Sequence, residues 1–141
     1  MRGRGGSSRN LAAPVAFFAL LGGAAGALAF TVRRRFMRYE VNGASMVPAL
    51  DPGDYVIVDR TAYRRRLPRK GHVVLAHDPR DHAREIVKRV DRSDLHGDLW
   101  LTGDNAGEST ASETFGAVPR GAIVGRVRWR YWPLRALFRV R

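Results

Sequence analysis

The stretch "HVVLAHDPRDHAREIVKRV", residues 72–90, holds two short apolar runs separated by a polar segment. The runs "HVVLAH" and "REIVKRV" have the length of strands, and "HDPRDH" between them has the composition of a turn. The stretch therefore predicts two β-strands. The second of them carries Lys88, one of only two lysines in a chain with 23 arginines.

Short apolar runs between turn residues continue on both sides of this stretch. "RYEVNG" and "DYVIVDR" precede it, with the turn "DPGD" between them, and "DLWLTG" and "AIVGRVRWRYW" follow it. In the last run, alternation predicts that Val127, Trp129 and Tyr131 share one face. Because no segment beyond residue 32 has a helical period over ten or more residues, we expect a mainly β fold, a compact small barrel or sandwich.

The composition limits the possible kinds of protein. A chain of 141 residues has the length of one ordinary domain. Without cysteine, it has no disulfide, no thiolate metal site and no cysteine nucleophile. The net charge of +12 would suit nucleic acid, an anionic membrane surface or an acidic partner. Since the heavy use of Arg, Ala and Gly has the character of a genome-wide bias, basicity alone does not indicate nucleic-acid binding.

Residues 11–32 form an uncharged stretch long enough to cross a bilayer as a helix of about 1.5 Å rise per residue. "ALA" at residues 27–29 would suit a signal-peptide cleavage site, but the run exceeds an ordinary signal core and four arginines follow it. We therefore expect a basic tail over residues 1–10, a retained transmembrane anchor over 11–32 and a β-rich domain over 33–141. The flanking charges nearly balance, so they leave the orientation in the membrane open.

Lys88 shares a strand face with Ile86 and Val90, which predicts a buried amine. Burial lowers the pKa of a lysine, and a neutral lysine can act as a general base, which arginine cannot. In the alternative interpretation, Lys88 extends its amine to solvent near a strand end. The other lysine, Lys70, lies in the basic loop "YRRRLPRKG" and is expected to be exposed.

Ser45 is the candidate nucleophile that such a base needs. It lies in "VNGASMVPALDPGD", residues 41–54, between small residues and the rigid Pro48. Gly43 and Ala44 leave room for a substrate backbone, and backbone N–H groups beside an exposed hydroxyl could bind an oxyanion. An ordinary turn serine is the alternative that this segment leaves open by itself.

Three blocks of the sequence, in their order, resemble the signal peptidase I family. They are "GASMVPALDPGDYVIVDR" (residues 43–60), "EIVKRV" (85–90) and "LTGDNAGESTASETFGAVP" (101–119, the third block). The resemblance covers residues 41–133 and implies a signal-peptidase-like β domain with an N-terminal anchor. It also implies that Ser45 is the nucleophile and Lys88 its general base. The supporting residues implied are Met46 and Pro48 in the first block and Gly103, Asp104, Asn105 and Ser109 in the third, where the serine binds the lysine.

The chain departs from the family pattern in two places. Family members usually continue the third block with an aspartate and an arginine, and Ala111 and Glu113 stand there instead. Because both members of that ion pair are absent, no unpaired charge is left behind. Gly43 replaces a hydroxyl oxyanion donor that some members have, so the backbone N–H of Ser45 is expected to do more of that work.

The expected function is that of a membrane-anchored serine endopeptidase with a Ser45–Lys88 dyad that removes leader or signal peptides. Its partners would be precursor proteins with an N-terminal leader and membrane lipids; we expect no nucleic acid, cofactor or metal, and "HDPRDH" is interpreted as a solvated loop. We expect a single-pass protein of the cell membrane with the peptidase domain on the extracytoplasmic side, and the cytoplasmic side stays open. Two alternatives are a maturation protease for nickel-type superoxide dismutase and an inactive membrane-tethered binding module.

Overall fold

The computed structural model describes the backbone of residues 12–133 and 138–140 and the side chains of residues 20–112, 114–133 and 140. The basic tail at residues 1–10, Leu11, the side chain of Glu113 and most of the C-terminal "LRALFRVR" lie outside the described residues. The described chain divides after Arg33 into two compact units. The first unit contains most of helix α1 (Ala12–Arg35). Within the described part of the chain, no helix is both long and apolar enough to cross a membrane, so the predicted anchor is not confirmed.

The second unit is a seven-stranded antiparallel sheet, which confirms the prediction of a mainly β fold. Its strands are β1 (Phe36–Glu40), β2 (Tyr55–Asp59), β3 (Val73–Asp78), β4 (Asp81–Ser93), β5 (Leu99–Thr102), β6 (Ile123–Trp132) and β7 (Phe138–Arg139). They lie in the order β1-β2-β6-β3-β4-β5, and β7 pairs with β6. The single α-helix described after α1 is the four-residue α2 (Ser112–Phe115) in the third block.

Hydrophobic side chains pack on both faces of the sheet because β3 begins with four consecutive apolar residues, whose side chains point alternately to the two faces. Val73 and Leu75 belong to the first core cluster, together with Met46, Leu50, Val56, Val58, Val87 and Val127. Val74 and Ala76 belong to the second core cluster, together with Ile86, Val90, Leu99, Leu101 and Val118. β3 is therefore covered on both faces, and β4 beside it has Val87 in the first core cluster and Ile86 and Val90 in the second.

The predicted alternation along the last strand is wrong in its second half. Val127 is fully buried as expected, but Trp129 is exposed and Arg130 is buried. The register explains the change: Val58 pairs with Val127 and Ile57 with Trp129, so Arg128 is an extra residue in β6. A bulge of this kind moves the following side chains to the opposite face. The buried Arg130 guanidinium then donates to Asp54 Oδ2 at 2.6 Å.

Replacing Asp54 with alanine is expected to destabilise the sheet domain by about 3 kcal/mol, because removal of one partner leaves the Arg130 charge buried. Asp54 Oδ2 also accepts the N–H of Asp51 at 2.9 Å, so the turn before β2 would lose a hydrogen bond as well. Urea denaturation of the full chain in detergent measures the change. Asp91→Ala, which removes a partner of the exposed Lys70, is the control and should have a much smaller effect. Equal effects of the two substitutions would contradict the expectation.

Candidate active site

Lys88 lies in the middle of β4 with its side chain inside the protein. Only 4% of the residue is exposed, and its neighbours on the same face, Ile86 and Val90, belong to the second core cluster. Its partner across the sheet is Val74 of β3. The predicted burial is confirmed, and the alternative in which the lysine extends to solvent is wrong. Lys70, in contrast, is exposed as predicted, with an ion pair of 3.0 Å to Asp91.

The amine of Lys88 has a hydrogen-bond partner in the third block. Its Nζ donates to Ser109 Oγ at 2.7 Å, and Ser109 Oγ in turn donates to the carbonyl of Thr110 at 3.4 Å. A buried amine without a partner would cost several kcal/mol. The Ser109 hydroxyl therefore satisfies the amine and fixes its direction.

The surroundings of Lys88 favour its neutral form. Burial lowers the pKa of Lys88, and the positive charges of Arg80 and Arg84 lower it further, while Asp78 acts in the opposite direction. A lysine needs a lowered pKa to accept a proton near neutral pH. The direction of this shift is the one that a lysine base requires.

Ser45 lies in a short 3₁₀ turn, Ala44–Met46, which leads from β1 towards β2. Met46 is fully buried in the first core cluster and anchors the turn. Gly43, just before it, is extended (φ −122°, ψ 153°) with nothing within 4 Å of the place where a side chain would begin. Pro48 follows on the exposed side, after a cis peptide bond. The turn thus leaves Ser45 partly exposed on a fixed backbone.

Asn105 of the third block holds this turn by two hydrogen bonds. Its backbone N–H donates to the carbonyl of Ser45 at 3.0 Å, and its Nδ2 donates to the carbonyl of Ala44 at 3.2 Å. In a trans peptide the carbonyl and the next N–H point in opposite directions. The N–H groups of Ser45 and Met46 are therefore turned away from Asn105.

Gly103 packs between Ser45 and Ser109 with no room for a side chain. A methyl group there would collide with the Ser45 carbonyl oxygen and with Oγ of Ser109, and would lie 2.6 Å from Ser109 Cβ. Glycine at this position lets the third block contact the Ser45 turn while Ser109 contacts Lys88. The Ser45 turn, the third block and the strand that carries Lys88 therefore meet around Gly103.

A second link between β4 and the third block is formed by Arg89 and Asp104. Arg89 Nε and Nη2 donate to the two carboxylate oxygens of Asp104 at 2.7 and 2.6 Å, and Nη1 donates to the Gly71 carbonyl at 2.8 Å. Asp104 was expected from the resemblance, but the pattern along β4 did not identify Arg89 as its partner. The signal for it is the forked guanidinium directly after Lys88, which suits a carboxylate.

One cleft of about 540 Å³ contains both candidate catalytic residues. Ser45 and Lys88 line it together with residues of the Ser45 turn and of the β3–β4 hairpin. Its other lining residues include Tyr39, Val41, His77, Arg80, Arg84, Glu85 and Glu108. The structure thus brings the predicted serine and lysine to the same cavity, which is large enough for several side chains of an extended peptide.

The altered part of the third block is held by a residue that the sequence did not single out. Ser112 is buried, and its Oγ accepts the backbone N–H of Leu101 at 2.8 Å. Ala111 precedes α2 in an extended conformation. A buried serine hydroxyl therefore attaches the segment to β5. The polar positions of "STASE" give no sign of which serine is buried.

The "HDPRDH" segment is not a solvated loop as predicted: His77 and Asp78 end β3, Asp81 and His82 begin β4, and only Pro79 and Arg80 connect the strands. Asp78 is buried and binds Arg80 through both carboxylate oxygens, at 2.9 and 2.7 Å, while Asp81 and His82 are exposed. The Arg80 guanidinium holds the pKa of Asp78 below its usual value. Among the described residues, no group of three or more His, Cys, Asp or Glu side chains could hold a metal ion.

Comparison with known proteins gives one family and a consistent set of relatives. Residues 15–91 match the family described as signal peptidase, peptidase S26. The chain is 32% identical to the mitochondrial ATP-independent inner membrane protease subunit 1b of Arabidopsis thaliana, over 71% of this chain and 72% of that protein. It is 31% identical to the mitochondrial inner membrane protease subunit 1 of Homo sapiens, over 66% of this chain and 68% of that protein. Both Ser45 and Lys88 fall inside the matched residues.

We expect the pKa of Lys88 in the folded chain to lie clearly below the ordinary lysine value of 10.5, because burial and two arginines oppose its charge. Selective ¹³C labelling of lysine side chains gives only two signals in this chain, one from Lys88 and one from the exposed Lys70. Titration of both in one sample measures the difference with an internal reference. Titration of the two lysines at the same pH would contradict the prediction.

Gly103→Ala is expected to destabilise the domain by about 1–3 kcal/mol, because the added methyl group overpacks the junction of three segments. Thermal or urea unfolding of the full chain measures the loss. Gly43→Ala is the matched control: the backbone there is extended and the space beside it is open, so its stability should not change. If Gly103→Ala were as stable as Gly43→Ala, the close packing of the junction would be refuted.

Proposed function

This chain belongs to the signal peptidase family, peptidase S26, and we propose that it is a membrane-anchored serine endopeptidase that removes leader or signal peptides from precursor proteins. The observation that carries the proposal is the buried amine of Lys88, which is bonded to Ser109 and lines the same cleft as Ser45. A lysine amine of lowered pKa in the same cleft as a serine hydroxyl is an arrangement suited to nucleophilic catalysis.

In the proposed first step, Lys88 Nζ accepts the proton of Ser45 Oγ as this oxygen attacks the scissile carbonyl carbon. The tetrahedral intermediate collapses when the C–N bond breaks and the Lys88 ammonium gives its proton to the leaving amine. The remaining acyl-enzyme is an ester of Ser45. Lys88 then takes a proton from water, which attacks the ester, and the proton returns to Ser45 as the acid product leaves.

The oxyanion would be bound by backbone N–H groups. Asn105 binds the carbonyls of Ala44 and Ser45, which turns the N–H groups of Ser45 and Met46 away from the third block. A fixed N–H beside the nucleophile costs no reorganisation when the negative charge develops. This supports Ser45 N–H as an oxyanion donor, with Asn105 as the residue that positions it. Gly43 leaves open space where a hydroxyl donor would lie.

The membrane part of the proposal rests on the sequence and on the relatives. Residues 11–32 carry no charge, and the relatives bear the name of inner membrane proteases. We propose that residues 11–32 anchor the chain, with residues 33–141 as the peptidase domain. The extracytoplasmic side is the proposed side, and protease accessibility in closed vesicles tests it.

Ser45→Ala and Lys88→Met are each expected to lower the cleavage rate by about 10⁴-fold or more, because each removes one half of a dyad that acts as a unit. Ser109→Ala should lower it by about 10–100-fold, since a lost hydrogen bond to the amine is worth about 1.5–3 kcal/mol. Cleavage of a precursor with an intact leader by full-length protein in detergent measures all three.

Matched controls are Ser93→Ala at the exposed end of β4 and Lys70→Met on the surface, which should both cleave at the normal rate. Normal turnover by the Ser45 or Lys88 variant would refute the dyad. Labelling of Ser45 by a serine-acylating inhibitor separates an enzyme from an inactive binding module. A nickel-type superoxide dismutase precursor, assayed beside a general leader peptide, tests the narrower substrate alternative.

A further inference from the structure

Arg80, in the β3–β4 connection, contacts three parts of the molecule. Its Nε and Nη2 donate to the carboxylate of Asp78, and its backbone N–H donates to Asp78 Oδ1 at 3.0 Å. Its guanidinium carbon lies 5.1 Å from the ring centre of Phe115 in α2. Arg80 also lines the cleft that contains Lys88. A single side chain therefore joins the hairpin, the third block and the cleft.

The contacts of Arg80 fix where its charge lies. Asp78 is almost completely buried, and a buried carboxylate is stable only when it is paired and hydrogen-bonded. Phe115 packs against the second core cluster, and its ring face attracts a cation. These contacts fix the position of the guanidinium, although 44% of the Arg80 side chain is exposed to solvent. Such a fork is a feature of arginine that lysine does not reproduce.

We propose that Arg80 is a positioning residue for the catalytic lysine: Asp78 and Phe115 hold its guanidinium at the cleft wall, where its positive charge favours the neutral amine of Lys88. The inference rests on the proposed function, because it assigns Arg80 a role in preparing Lys88 as the base. The third block would then act on Lys88 through two of its residues. Ser109 orients the amine, and Phe115 orients the charge that acts on it.

The electrostatics around Lys88 agree in sign with this role. Arg80 is the largest contributor after burial to the lowered pKa of Lys88, ahead of Arg84, while Asp78 raises it. Arg80 and Arg84 are both exposed, so salt screens the effect of each charge. The titratable and charged groups around the amine are Tyr39 of β1, His77, Asp78, Arg80, Arg84 and Glu85 of the hairpin, and Glu108 of the third block.

The decisive experiment compares the pKa of Lys88 in full-length variants by the lysine ¹³C titration, with Lys70 as reference. Arg80→Gln is expected to raise the pKa of Lys88 towards the ordinary lysine value, because a positive charge at the cleft wall is gone and Asp78 is no longer neutralised. Arg80→Lys keeps the charge and should restore most of the shift. The acidic limb of the kcat/KM profile should move to higher pH by the same amount in Arg80→Gln.

Arg92→Gln is the matched control. Arg92 also pairs with an aspartate, Asp91 at 3.0 Å, and lies over a ring, 4.2 Å from the centre of Trp100, but it does not line the cleft. Its substitution should leave the pKa of Lys88 unchanged. If Arg80→Gln lowers the rate or the stability while the pKa of Lys88 stays the same, Arg80 is only structural and the proposal is overturned.

A second variant covers the case in which Arg80→Gln does not fold. Asp78→Asn with Arg80→Gln leaves no unpaired charge in the hairpin, and it should raise the pKa of Lys88 by less than the single substitution because Asp78 opposed Arg80. An unchanged or lowered pKa in this double variant also overturns the proposal. The titration needs no substrate, so failure of the chain to cleave any leader would refute the proposed function without deciding the role of Arg80.

Discussion

The amine of Lys88 is buried and therefore needs a hydrogen-bond partner inside the protein. The positions of the other site residues depend on this requirement. Burial comes from the alternation of β4, which places Lys88 between Ile86 and Val90 of the second core cluster. The hydrogen-bond partner is Ser109, a residue that is distant in sequence. Because the amine would be costly without that partner, the third block has to lie where it does. The central sheet supplies the position of the lysine, and the third block supplies its contacts.

The serine side of the site is also held from the third block. Asn105 binds two successive carbonyls of the Ser45 turn, and Gly103 is packed too closely for any larger residue. Arg89 and Asp104 add a bidentate ion pair from the face of β4 opposite to Lys88. The same short segment thus contacts the turn of the nucleophile and both faces of the strand that carries the base. Displacement of this segment would affect both residues at once.

The sequence predicted what depends on local alternation and on the three blocks, and it did not predict what depends on distant contacts. The strand of Lys88 and its burial follow from the residues on either side of it. The predicted faces of the last strand were wrong after Val127, because a bulge at Arg128 moves the following side chains to the opposite face. No residue near the bulge indicates it in the sequence. Arg80 lies in a segment with the composition of a turn, and its contact with Phe115, which is remote along the chain, could not be predicted from the residues around it. The Ser112 hydroxyl that holds β5 is hidden among other polar residues for the same reason.

The outer edge of β5 restricts how another chain can join this sheet. Leu99 and Leu101 are the residues whose N–H groups point away from β4, and both groups are already used, by the carbonyl of Val118 at 2.8 Å and by Ser112 Oγ at 2.8 Å. A strand that came to this edge would find no free donor and could not extend the ladder. At this edge, the hydroxyl that attaches the third block also protects the sheet against self-association.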